Sequence, residues 1–178
     1  MDLHAQDALT PPTLTTHRLT LRPFRDTDAG PIIAALNDWA ITRWLTSVPF
    51  PYTQGDAAWW ISSGSRQDGA VNWAIEDATG FVGTVGVKPD LGYWLAAARH
   101  SQGYMTEAST CAIDWYFQTI DAPLVSGHLI GNAPSRAILL KQGFRDTVVE
   151  DVIRTGDQQV VQVQKLKLGR SDWSDRHA

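Results

Sequence analysis

The sequence predicts an α/β domain of three layers, in which a central mixed sheet of about seven strands is flanked by helices. Three observations predict it. Short strand-like runs divided by turn residues meander through the first half. Helical runs separate the strands of the second half, as crossovers require. The chain of 178 residues is 43% hydrophobic, which is enough for one sizeable core without disulfides or metals. No linker, repeat or low-complexity stretch divides it, so residues 13–168 read as a single domain, and the polar or Pro-containing ends 1–12 and 169–178 are expected to be flexible.

Each element has a local reason. Residues 17–22 alternate, with Leu19 and Leu21 on one face of a strand. Asp26 or Thr27 then caps a helix carrying Ile32, Ile33, Ala35 and Leu36. A second helical segment covers 37–45, and a third runs from Thr53 or Asp56 to Ser63, where Gly64 stops it. Strands come next at 71–76 and 81–87, split by the Asp-Ala-Thr-Gly turn at 77–80, and again at 91–95. The long helix runs from Gly103 to Thr119, with Met105, Ala108, Ala112, Trp115 and Tyr116 near its apolar face. A strand at 124–130, a helix at 134–142 and two strands at 144–153 and 159–168 complete the domain.

Bulk properties exclude several classes. The net charge is −4 with no long basic run, so there is no electrostatic footprint for nucleic acid. No apolar run reaches the length of a membrane span and the amino terminus lacks the form of a signal peptide, which makes the cytoplasm the expected compartment. The five histidines are scattered and no Cys pair exists, so no metal site is expected. Cys111 sits at helical spacing from Ala108, Ala112 and Trp115 and reads as a small buried hydrophobe.

Residues 91–108 carry the most chemical information: a strand, a loop closed by Gly103 and a helix start. A helix start leaves backbone N–H groups without intrahelical acceptors and carries the positive end of the macrodipole, so it suits a phosphate. Such a junction alone is common. The absence of a Lys-Ser/Thr pair after the loop and of a two-glycine fingerprint weakens a nucleotide-binding reading. Farther along, Asn132-Ala-Pro-Ser135 opens a short helix that ends at Lys141-Gln-Gly143-Phe144. As bare residues Asn132 is a turn or N-cap residue and Ser135 a first-turn serine.

Taken with Thr16-His-Arg18-Leu-Thr-Leu-Arg22-Pro-Phe, these landmarks, in this order and spacing, resemble the GNAT superfamily of N-acetyltransferases, and most closely its Rim-type branch, which acetylates ribosomal-protein N-termini. The resemblance spans residues 13–168 and implies direct attack of an amine on the thioester of acetyl-coenzyme A, without a metal. It implies splayed strands forming an acyl-CoA cleft, with Leu95, Ala96 and Ala97 facing the cofactor and supplying an oxyanion N–H. The pyrophosphate would lie on Ser101, Gln102, Gly103, Tyr104, Met105 and Thr106. Ser101 stands where the family usually has its first glycine, and Ala98 where an Arg or Gln is frequent. Asn132 would bond pantetheine or backbone. Ser135 matches the Rim-type serine that protonates the leaving thiolate, whereas the tyrosine acid of other branches is Leu139 here. Glu150 lies where the branch has its acidic base, with Asp151, Glu76 and Asp90 as lesser candidates.

The acceptor side implied by the resemblance holds Trp39, Trp44, Trp59 and Trp60, half of the eight tryptophans within 22 positions, with Phe50 and Tyr52 between them. They are either core packing or an aromatic acceptor pocket, and Asp38 and Asp56 are either its acidic rim or helix caps. The expected partner is a primary amine, at a protein N-terminus or on a small molecule, acted on by a monomer or a homodimer. The alternative is a CoA-binding protein of the same fold with little turnover.

Overall fold

The computed structural model describes residues 11–88 and 90–177. Strands β1 (Leu14–Thr15) and β2 (Thr20–Arg22) lead into α1 (Ala29–Leu36), α2 (Trp39–Thr42) and α3 (Gln54–Ser62). The meander β3 (Val71–Asp77), β4 (Gly80–Lys88) and β5 (Gly92–Leu95) comes next, then α4 (Tyr104–Thr119) and β6 (Leu124–Leu129). Helix α5 (Ala133–Gln142), β7 (Arg145–Ile153), β8 (Val160–Leu168) and α6 (Arg170–His177) close the chain.

The strands form two antiparallel sheets, β1-β2-β3-β4-β5 and β6-β8-β7. They meet through one parallel bridge, Leu91 to Ser126. There the Leu91 N–H donates to Val125 O at 2.8 Å and the Ser126 hydroxyl donates to Leu91 O at 2.8 Å. Beyond this point β5 and β6 diverge, so the sheet is mixed in sense and split along the seam.

Two apolar clusters hold the layers. The larger one, including Leu21, Trp73, Ile75, Val85, Ile113, Leu124 and Leu166, lies between α4 and both sheets. The smaller, including Ile32, Leu36, Ile41, Ala57 and Ile61, sits under α1–α3 and makes them a separate lobe. Arg22 fixes that lobe to the sheet. Its side chain, 4% exposed, bonds both oxygens of Asp28 and also Glu76 at 2.7 Å. The residue ahead of α1 is therefore Asp28 rather than Asp26 or Thr27, and its carboxylate serves Arg22 and the Arg25 N–H. Helix α2 is a single turn, shorter than the 37–45 expected: Asn37 ends α1 and bonds both backbone groups of Tyr52, and past Thr42 the chain tightens into turns in which Trp44 N–H donates to Ile41 O and Leu45 N–H to Thr42 O, both at 3.0 Å.

The carboxy terminus also departs from expectation. Residues 170–177 form α6, and Trp173 is only 4% exposed, its indole N–H donating to Asp114 at 2.8 Å beside Phe117. One aromatic in a polar segment leaves no periodic signal, so the sequence alone reads as a loose end. The expectation for residues 1–10 lies outside the described residues. Trp173→Ala should lower the unfolding free energy by about 3 kcal/mol in a denaturant titration. A loss within ~0.5 kcal/mol would mean that α6 does not pack as described.

Candidate active site

The split between the sheets has a definite polarity. The Ala96 N–H donates to Val82 O at 2.8 Å, continuing the β4–β5 register that pairs Thr84 with Trp94 and Gly86 with Gly92. In an antiparallel ladder the residues between bonded pairs turn their backbone groups to the other edge. Tyr93 and Leu95 therefore present N–H and C=O toward β6, as Leu91 does where it bonds Val125. The same parity holds opposite, where Ile130 N–H donates to Gln162 O, so that Gly127 and Leu129 face β5. The two strand edges look at each other across a wedge that opens into a cavity of about 1310 Å³. The Leu95 and Leu129 carbonyls at its end are taken by the His100 ring and the Asn132 N–H, which leaves Tyr93, Gly127 and the N–H groups of Leu95 and Leu129 toward the wedge.

At the open end lies the start of α4. Gly103 sits at φ +76° and Ser101 at φ +59°, both left-handed. The position where the usual glycine is missing thus does require positive φ, and a serine there costs about 1–2 kcal/mol. Side chains brace the strained loop from outside. Arg18 donates to Gln102 O at 3.0 Å, lies 4.6 Å from the Tyr104 ring centre and pairs with Glu107 at 2.7 Å. Glu107 also accepts from Thr16 Oγ1 at 2.6 Å and from the Arg18 N–H at 2.8 Å. Burial raises the Glu107 carboxyl, but these bonds outweigh it and hold it below the usual carboxylate range. The carboxylate therefore faces away from any anion at the helix start. Inside the loop, the His100 ring bonds Leu95 O at 2.9 Å, and Arg99 is paired with Asp77 at 2.6 Å.

The start of α5 faces the same cavity. Asn132 caps the helix, its Oδ1 accepting from the Ser135 N–H at 3.2 Å, with a proline in the first turn. The Ser135 Oγ lies 3.0 Å from the Tyr93 hydroxyl, which reaches across from β5. Burial pushes the Tyr93 phenol up to about 12, against the smaller lowering effect of its bond to Ser135. It therefore stays protonated throughout the physiological range. Tyr93 is the site residue that sequence reasoning missed. Nothing in Gly-Tyr-Trp-Leu points to a partner 42 positions away.

Of the residues expected from sequence, Leu95, Ser101, Gly103, Tyr104, Met105, Thr106, Asn132, Ser135 and Glu150 border this one cavity. Ala96, Ala97 and Gln102 do not. The Ala96 N–H is committed to β4, Ala97 opens the 3-10 turn Ala97–Arg99, and the Gln102 side chain folds back onto Ala98 O at 2.8 Å. The N–H groups of β5 that face the wedge are those of Tyr93 and Leu95. Glu150 is on β7, exposed and registered opposite Val163.

The cavity continues into the lobe of α1–α3, where Trp44, Trp59, Trp60 and Tyr52 border it. Trp59 is 53% exposed, whereas Trp60 also packs edge-on against Phe24 at 5.8 Å. Trp39 instead stacks with Phe50 at 4.9 Å and with Arg154 of the β7–β8 turn at 5.1 Å. That turn is bonded to the lobe, the Thr155 N–H donating to Thr46 O at 2.8 Å, and it bridges the two sides of the wedge. Of the two acidic residues expected either at the rim or as caps, both serve helix starts, and Asp56 also borders the cavity. Asp38 accepts from the Ala40 N–H, and Asp56 is locked in a capping box with Thr53.

Comparison with known proteins agrees with this geometry. The profile of the acetyltransferase (GNAT) domain matches residues 18–145. Among solved structures, a GNAT-family acetyltransferase from Bacillus anthracis superimposes with a TM-score of 0.77 at 14% identity, covering 90% of this chain and 99% of the other. RimL, a ribosomal L7/L12 alpha-N-protein acetyltransferase seen with coenzyme A, gives 0.76 at 15% identity over 90% and 99%. The microcin C7 self-immunity acetyltransferase MccE, seen with acetyl-CoA and AMP, gives 0.74 at 19% over 85% and 92%. At these identities the likeness is one of fold. A comparison with curated proteins gives no match. The family profile spans most of the chain, including the split strands and both helix starts, and the ribosomal-protein acetyltransferases among the neighbours accord with the Rim-type likeness. The chain belongs to the GNAT family and is an acetyl-CoA-dependent acyltransferase.

Proposed function

We propose that the protein acetylates a primary amine, at a protein N-terminus or on a small molecule, by direct attack within a ternary complex. The observation that carries this reading is that one cavity is shared by the free edge of β5, the starts of α4 and α5, and the aromatic lobe. Acetyl-CoA supplies an activated carbonyl on a thiol that can leave. Its fit rests on features of this chain: the wedge-facing N–H groups of Tyr93 and Leu95 and the Tyr93 carbonyl suit the amide groups of pantetheine, and a helix start entered through two left-handed residues suits a pyrophosphate. Ser101, Gly103, Tyr104, Met105 and Thr106 would hold the phosphates, and Asn132 the pantetheine side of the wedge.

In this reading the Tyr93 or Leu95 N–H stabilises charge on the carbonyl oxygen, and Ser135 protonates the thiolate. Glu150 is the base candidate nearest in role. An α-amine of pKa near 8 is already partly neutral at physiological pH, so the demand on that base is small. The aromatic wall favours an acceptor with an apolar side chain. Asp38 is taken up as a cap away from the cavity, which leaves Asp56 as the acidic group bordering this end of it, and that supports a peptide-like amine over a polycation. RimL acts on a protein alpha-amine, which agrees with that choice.

Acetyl-CoA at about a hundredfold excess over its Kd should stabilise the fold by about 2.7 kcal/mol in thermal unfolding. Gly103→Val should abolish the shift, and an unchanged shift would place the cofactor elsewhere. Ser135→Ala should lower kcat by ~10²-fold with unaltered acetyl-CoA affinity. Wild-type turnover would reduce Ser135 to a helix-start residue. Tight acetyl-CoA binding with no turnover across peptides, polyamines, aminoglycosides and amino acids would favour a CoA-binding protein of low activity.

A further inference from the structure

We infer that the Tyr93 hydroxyl is a positioning residue for Ser135, donating to its Oγ across the wedge so that the serine's own proton is free for the departing sulfur. The inference rests on the reading of Ser135 as proton donor and adds a partner that neither the family match nor the sequence pattern supplies.

An aliphatic hydroxyl is a weak acid, and it protonates a thiolate efficiently only where the negative charge left on its oxygen is met by a donor already in place. Ser135 has two fixed neighbours. Asn132 Oδ1 holds its backbone N–H at 3.2 Å, which sets the position of the residue but not of its hydroxyl. The Tyr93 hydroxyl lies 3.0 Å from Oγ and 3.3 Å from Ser135 O. Before reaction the phenolic proton can bond either oxygen. As the serine proton leaves, charge grows on Oγ alone, and the shorter contact becomes the stronger bond.

The location supports this role. Tyr93 belongs to the strand whose next wedge-facing residue, Leu95, borders the cavity, whereas Ser135 belongs to the helix after β6. The hydrogen bond therefore spans the wedge where the strands have parted, and it sets the acid against the strand that offers the oxyanion donors. Burial keeps the phenol protonated, so the donor is present throughout the working range.

The proton inventory closes. The amine lone pair forms the carbon–nitrogen bond, the carbon–sulfur bond breaks with its electron pair on sulfur, the serine O–H bond breaks and an S–H bond forms. Oγ then takes up, through solvent, the proton shed by the acylated nitrogen. Tyr93 gains and loses nothing, and it only strengthens its bond to Oγ while that atom is charged.

Steady-state kinetics of Tyr93→Phe, Ser135→Ala and the double variant test the inference. Tyr93→Phe should lower kcat about tenfold, the rate equivalent of one hydrogen bond, with KM for acetyl-CoA unchanged. In the Ser135→Ala background the same change should cost nothing further, because the two groups act as a unit. Tyr93→His, which restores a donor, should recover part of the rate and serves if the phenylalanine variant folds poorly. The defect should shrink with an acyl donor whose thiol is more acidic, since its departure needs less help. A slow Ser135→Ala with a wild-type Tyr93→Phe would overturn the inference and keep the serine reading. A wild-type Ser135→Ala would overturn both. Additive losses in the double variant would make Tyr93 a packing residue.

Discussion

Among the described residues, Leu91 and Ser126 form the one parallel bridge between the two sheets, and the cavity depends on the divergence of the strands just past it. The bridge joins strands that already have antiparallel partners on their outer sides, β4 for β5 and β8 for β6. When the pair diverges, each strand keeps its outer ladder and loses its inner one. Buried backbone groups without partners are costly, so such an edge is stable only where solvent or a ligand can satisfy it. Asp90 and Lys165, paired at 2.9 Å, reinforce the joined end and leave the other end free to open.

The two chain exits from β5 and β6 convert the opening into a binding site. The chain leaves β5 through a loop whose strained residues are braced by Arg18, Arg99 and His100, and it leaves β6 through a turn capped by Asn132. Both exits lead directly into helices, so two positive helix ends arrive at the mouth of the wedge. The bracing matters because Ser101 is held in a conformation that favours glycine. A loop already held in this shape would receive a pyrophosphate without first having to be ordered.

Much of this was legible in the residues, in a particular way. The Gly103 turn, the long α4, the Asn132 cap and the Gly143 stop are local signals, and each element lies within a few residues of where its pattern puts it. The features that escaped depend on contacts distant in sequence. Ala96 looked equivalent to Leu95 until the β4 register fixed which N–H was already bonded. Tyr93 reads as a strand aromatic until α5 folds beside it. Trp173 is a lone apolar residue whose partners, Asp114 and Phe117, lie on another helix.

In the proposed function acetyl-CoA lies along the inner edge of β5. Amide hydrogen exchange, residue by residue along β5 with and without acetyl-CoA, tests it most directly. The amides of Tyr93 and Leu95 face the wedge and should exchange more slowly when acetyl-CoA is added. Those of Trp94 and Ala96 are already bonded to β4 and should change little. Protection of all four amides alike, or of none while the cofactor is bound, would contradict the account.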